Sequence, residues 1–263
     1  MLSLNLLKNA IDSIKPLPPV KVSYLMQSGE EEIAFNHKEE LRAASIIKLF
    51  ILAAAYCKTE RGHLDLSKQV YISPSDAAGG AGIISCLSEK QTYTYQQLLE
   101  LMIIVSDNTA TNALIDYIGW ENLHVFIQQI GCKHTVLERK LMDEEAKKLG
   151  LENKTSCLDV MHLLHLFTEP NHILSQHSRE QILTILGNQQ LNSKLTAFSS
   201  YDPNIQTCHK TGELNEAEHD AAIFQTADRL FKAVVLTDRW TNNGQGQQFH
   251  LAAGARIYQY LKN

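Results

Sequence analysis

Apolar residues recur at helical spacing over residues 2–14, at Leu4, Leu7, Ile11 and Ile14, and Pro16, Pro18 and Pro19 stop the pattern. Two short apolar runs, 20–27 and 31–37, flank Ser28-Gly29-Glu30 and predict an antiparallel hairpin. A helix is predicted over 46–59, with Gly62 just past its end. From about 64 to 200 the pattern is mostly helical, with period-3.6 segments at 95–101, 109–118, 120–130 and 158–167. Gly119, Gly131 and Pro170 punctuate them. After residue 204 the runs 205–211, 219–226 and 230–237 predict three strands, and 248–261 a closing helix.

Strands at both ends around a helical block predict an α+β fold. One antiparallel sheet is assembled from both termini and flanked by helices, with an inserted all-α lobe beside it. The expected division is an α/β lobe from 1–60 plus 204–263 and a mostly helical lobe from 61–203. The two form one catalytic domain with a cleft between them. There are no internal repeats, linkers or low-complexity stretches.

Composition narrows the function classes. In 263 residues, 44% are hydrophobic and 20% charged, the balance of a globular protein. No apolar run reaches the roughly 20 residues of a membrane span. A net charge of -5 argues against nucleic acid or an anionic membrane as main partner. Cys57, Cys86, Cys132, Cys157 and Cys208 are odd in number and lack a C-x-x-C, so they read as small buried hydrophobes rather than a disulfide framework or zinc site. The N-terminus lacks a secretory core, so the sequence as it stands reads as cytoplasmic, or as periplasmic or secreted if a leader has been removed.

Three short motifs carry candidate chemistry. Ala44-Ser45-Ile46-Ile47-Lys48 opens the strongest helix, and a serine and a lysine three residues apart share one face of it. A lysine whose pKa is lowered by burial takes the hydroxyl proton and leaves a nucleophile. S-x-x-K turns up roughly once by chance in a chain of this length, so alone it says little. Val105-Ser106-Asp107-Asn108-Thr109 reads either as a helix N-cap or as a second hydroxyl, Ser106, beside a substrate-binding amide, Asn108. Asp107 reads as structural. His209-Lys210-Thr211-Gly212 lies near the end of a predicted strand, where glycine admits a ligand close to the backbone.

In this order, S-x-x-K, S-D-N and K-T-G form a set that resembles the serine β-lactamases and penicillin-binding proteins. The surroundings resemble class A β-lactamases: the Gly-rich turn at 79–84, the stretch QLLELMIIVSDNTATNALIDYIG at 97–119, and Thr135-Val136-Leu137-Glu138-Arg139 as the entry to an Ω loop. The resemblance spans most of residues 20–262. It implies a covalent acyl-enzyme on Ser45 with Lys48 as base, and Ser106 as the proton donor to the leaving nitrogen. Asn108 then positions the acyl side chain, and Lys210 with Thr211 holds a carboxylate. The backbone N–H groups of Ser45 and Glu213 form the oxyanion hole. It implies a small-molecule substrate, a β-lactam or an acyl-D-alanyl-D-alanine, and neither metal nor organic cofactor. Oligomeric state is open.

The chain departs from the pattern where class A enzymes carry the deacylating glutamate, two residues after the Ω-loop arginine. Counting from Arg139, that position is Leu141. Asp143, Glu144 and Glu145 are either substitutes or a solvated helix start. Asn153 stands where an aspartate pairs with the loop arginine. The segment 213–220 holds four acids and no arginine, which implies different carboxylate recognition. His162 and His165 have metal-compatible spacing, but without a completing ligand they read as core or surface residues. Trp120 and Trp240 read as packing residues. Three functions remain: a β-lactamase-type hydrolase, a D-alanyl-D-alanine peptidase or esterase, and a sensor that stays acylated. Leu141 favours the second and overall resemblance the first.

Overall fold

The computed structural model describes residues 3–88 and 91–263. The predicted helix at 2–14 is α1, Leu4–Asp12, capped by the Ser3 hydroxyl; Leu2 lies outside the described residues. The hairpin is β1, Lys21–Ser28, and β2, Glu31–Phe35, paired antiparallel with Ser28 opposite Glu31. A two-residue strand, β3 (Leu41–Arg42), leads to α2, Ile47–Glu60. The helical segments that follow are bracketed by β4 (Gln69–Ile72), β5 (Gln91–Thr94) and β6 (Lys154–Thr155). They are α3 (Tyr95–Ile104), α4 (Asn108–Ile118), α5 (Trp120–Gln129), α6 (Glu144–Lys148), α7 (Cys157–Thr168) and α8 (Gln176–Gly187). The chain closes with β7 (Gln206–Leu214), β8 (Ala217–Gln225), β9 (Leu230–Asp238) and α9 (Asn243–Leu261).

The main sheet has the order β2-β1-β9-β8-β7. The N-terminal strand lies against the C-terminal one, with Lys21 opposite Asp238. Strand residues alternate between two apolar clusters, as the pleat requires. Val22, Tyr24, Met26, Phe231, Ala233 and Val235 face α1 and α9. Leu25, Ala221, Ile223, Val234 and Leu236 face the helical side. α2 is buried all round from Ile47 to Cys57 and shares the second cluster with α3, α4, α5, α7 and α8. The helix carrying Lys48 is thus the axle of the helical cluster.

Two expectations change. β7 runs on to Leu214, so Lys210 lies mid-strand rather than near a strand end. The acid-rich segment that follows is the tight β7–β8 hairpin, in which Glu216 takes φ +65°. Cys57, Cys132 and Cys157 are buried and Cys208 half-buried, but Cys86 is exposed; all five are free thiols. His162 is exposed and His165 pairs with Glu169 at 2.6 Å. Trp240 is buried and donates to Thr237 Oγ1. Among the described residues no helix is long and apolar enough to cross a membrane.

Candidate active site

Ser45 lies on a single 3₁₀ turn, Ala44–Ile46, that feeds directly into α2. Ala44 sits at φ +46°, a left-handed conformation that L-residues avoid, so the turn is held by its surroundings. Ser45 is only 8% exposed. One turn on, Lys48 is fully buried and its Nζ donates to three acceptors: Ser106 O at 2.7 Å, Ser106 Oγ at 3.1 Å and Asn108 Oδ1 at 2.8 Å. Those three use up the donors of an ammonium, and none goes to Ser45. No direct serine–lysine hydrogen bond is made in this conformation; the lysine is turned toward Ser106.

Asp107 explains why the central motif folds as it does. Its Oδ1 caps α4 by accepting from Ala110 N at 2.9 Å. Its Oδ2 accepts from Ile83 N at 2.7 Å and Ile84 N at 2.9 Å, which fastens the Gly-rich turn to the helix start. Gly82 takes φ +118°, and a side chain there would run into Asp107. The carboxylate is thus structural, and it leaves its neighbours Ser106 and Asn108 to face Lys48. Asn108 Nδ2 donates to Gly79 O at 2.9 Å while its oxygen holds Lys48. Ser106 adopts φ +57° between them.

β7 is the edge strand nearest the Ser45 turn. A Cβ on Gly212 would come within 3.1 Å of Ile46, so glycine lets the strand pass that close. Lys210 Nζ donates to Ser106 Oγ at 3.1 Å and to Thr211 O at 2.8 Å. Lys48, Ser106, Asn108 and Lys210 therefore form one hydrogen-bonded cluster. Thr211 is joined to it through its carbonyl, whereas the Glu213 side chain is exposed and can contribute only its backbone.

Burial sets the electrostatics. Desolvation, reinforced by the charge of Lys210, pushes Lys48 well below the usual lysine range, against a smaller pull from Asp107. Lys210 is pushed down to about 7 by desolvation and then by Lys194, with Asp220 opposing.

The segment that resembles an Ω loop is tied to itself by its own polar groups. Arg139 pairs with Glu152 Oε1 at 2.8 Å rather than with Asn153. Asn153 instead ties the loop neck, accepting from Glu138 N and Arg139 N and donating to Arg139 O. Leu141 is gripped through its backbone: its N–H donates to Asn112 Oδ1 at 2.9 Å and its carbonyl accepts from Asn112 Nδ2 at 3.1 Å. Asp143 caps α6, and Glu144 and Glu145 pair with Lys147 and Lys148 at the surface. Behind the loop lies an open cavity of about 760 Å³, bordered by Asn112, Leu141, Met142 and Gly79. Asn112 escaped the sequence reading, although its place four residues after Asn108 on one helix face was a usable signal.

A model of the beta-lactamase enzyme family matches residues 7–261. The β-lactamase BRO-1 of Moraxella catarrhalis is 24% identical over 98% of this chain and 86% of its own length. A β-lactamase of Citrobacter koseri is 24% identical over 90% of this chain and 81% of its own. Among solved structures, a β-lactamase from Sphaerobacter thermophilus superposes with a TM-score of 0.89 at 24% identity, covering 98% of both chains. PBP-A superposes at 0.86 with 25% identity over 98% of this chain and 96% of its own. The fold is that of the serine β-lactamase and penicillin-binding protein superfamily. Within it, the chain belongs to the beta-lactamase enzyme family, as a serine β-lactamase-like hydrolase acting on a small molecule.

Proposed function

We propose that the protein is an acyl-transfer hydrolase of the class A type that opens a β-lactam or related amide through an ester on Ser45, and that it deacylates slowly. The observation that carries this reading is the Lys48–Ser106–Lys210 link, in which two depressed lysines share one hydroxyl. Neutral Lys48 takes the proton of Ser45 as Oγ bonds to the substrate carbonyl carbon, and the N–H groups of Ser45 and Glu213 receive the oxyanion. On collapse the carbon–nitrogen bond breaks. The proton held by Lys48 passes to Ser106, whose own hydroxyl proton goes to the leaving nitrogen. Lys210 and Thr211 take the substrate carboxylate, and Asn108 takes the acyl amide.

Slow deacylation follows from Leu141, which cannot accept a proton from water. The nearby acids are engaged: Asp143 with the start of α6, Glu144 and Glu145 with lysines. The same facts favour a second reading, a D-alanyl-D-alanine peptidase or esterase, over a fast β-lactamase; a third is a sensor that stays acylated. One solved relative is PBP-A with a leucine-to-glutamate substitution as an acyl-enzyme complex with penicillin G, at 25% identity and a TM-score of 0.85 over 98% of this chain and 96% of its own.

Incubation with a fluorescent penicillin followed by mass spectrometry tests the proposal. The expected result is stoichiometric, long-lived labelling of Ser45. Rapid loss of label would make the protein an efficient β-lactamase, and no labelling at high concentration would overturn the acyl-enzyme reading.

A further inference from the structure

Lys194 lies in the loop that precedes β7 and is 2% exposed. Its Nζ donates to Gly212 O at 2.9 Å and to His219 O at 3.4 Å, and it pairs with the fully buried carboxylate of Glu218. Glu218 accepts in turn from Asn243 Nδ2 at 2.7 Å. The segment is pinned on both sides. Leu195 N donates to Asp220 Oδ2 at 3.0 Å, and Gly254 of α9 packs so close to the carbonyls of Lys194 and Leu195 that a Cβ would fall within 2.8 Å of both oxygens. A buried lysine is costly, and this one is built in with unusual care.

Gly212 O belongs to the peptide unit whose other end is the N–H of Glu213. In a trans peptide the C=O and N–H point in opposite directions, so a cation on the oxygen sits behind the donor rather than beside it. A hydrogen bond to the oxygen polarises the amide and strengthens the N–H as a donor. Lys194 is too enclosed, and its donors too committed, to reach a substrate carboxylate.

We propose that Lys194 is a positioning residue for acylation that acts through the Gly212–Glu213 peptide, fixing and polarising the N–H that receives the oxyanion. The inference rests on the acyl-enzyme reading above. Glu218 and Asn243 hold the ammonium over the carbonyl. The loop before β7 thereby tunes a donor on the opposite side of the strand.

The test compares wild type with Lys194→Met/Glu218→Gln, which removes the cation and its counter-charge together, using penicillin G carrying ¹³C at the reacting carbonyl. Wild type is expected to give an acyl-ester infrared band at low frequency, reporting a strong oxyanion hole. The variant is expected to acylate about 10-fold more slowly at saturation, a fraction of the 10²–10³ that a whole oxyanion donor supplies. Its ester band should move toward that of the denatured acyl-enzyme, with the concentration dependence little changed at about pH 6, where Lys210 is charged with or without Lys194 beside it. Lys194→Gln/Glu218→Gln keeps a neutral donor on a shorter side chain and is expected to fall between; it replaces the methionine pair if near-ultraviolet circular dichroism finds that pair unfolded. A folded variant with an unmoved band, or a loss confined to half-saturation, overturns the proposal. Failure of wild type to acylate at Ser45 defeats the underlying reading instead.

Discussion

The side-chain nitrogens of Lys48 and Lys210 meet on one oxygen, Ser106 Oγ, each at 3.1 Å. One nitrogen comes from the buried central helix and the other from the edge strand. Two full positive charges this close in a dry site repel, and the charge of Lys210 makes Lys48 the easier of the two to discharge. With both lone pairs of the Ser106 hydroxyl taken, its own hydrogen is left for another acceptor.

Acylation should therefore depend on pH with a falling limb set by Lys210. That amine is charged below about 7 in the free enzyme and loses its charge as pH rises through that value, so attraction for an anionic carboxylate is present at low pH and lost at high pH. The second-order acylation rate for a penicillin, measured by stopped flow, should decline above pH 7. The decline should vanish for a neutral ester that lacks the carboxylate. A limb that persists for the neutral substrate would assign it to another group.

Ser45→Ala should abolish covalent labelling, and label found on another residue would remove Ser45 from its role. Ser106→Ala should leave labelling intact but slow it about 10²-fold, the usual worth of a positioned proton donor. A rate equal to wild type would mean that the leaving nitrogen is protonated from elsewhere.

Leu141→Glu should speed release of the penicilloyl group by about 10²-fold or more, since it puts a general base where Leu141 stands. The backbone clamp by Asn112 fixes the position, and the open cavity behind the loop limits the desolvation of a carboxylate there. Acyl-enzyme lifetime by mass spectrometry reads the effect. An unchanged lifetime would mean that residue 141 does not overlook the ester.

Asp107→Ala should lower stability by about 2–4 kcal/mol, because one cap and two backbone N–H partners are lost together. In a chain of this size that is a fall in Tm of about 5–15 °C by calorimetry. Gly82→Ala should be harmful through the same contact, approached from the glycine side. A melting point within a degree of wild type for Asp107→Ala would contradict the structural role.

The motifs were legible because their chemistry is local: a serine and lysine one turn apart, and an acid and amide at a helix start. The helices with strong periodicity were legible for the same reason, whereas α8 was not. Its polar face carries Gln176, Arg179 and Glu180, and it takes its stability from packing under α2 and β7. The far end of β7 was hidden because Gly212 and Glu213 interrupt the strand-like run that ends at Thr211, while cross-strand pairing to β8 carries the strand onward. Glu152, rather than Asn153, partners Arg139 because the amide is already committed to the loop backbone. Lys194 lay in a stretch without period, where a lone charge ordinarily faces water.

The pairing of β1 with β9 bears on biosynthesis. A ribosome delivers Ser45 early and Lys210 late, and β1 has no neighbour on one flank until β9 emerges. Hairpin and axle helix can form on the nascent chain, but reactivity awaits the last strands, when distant segments close. Until then the emerging polypeptide exposes an unpaired apolar strand edge, an invitation to chaperones, and carries a serine that has no means of reacting.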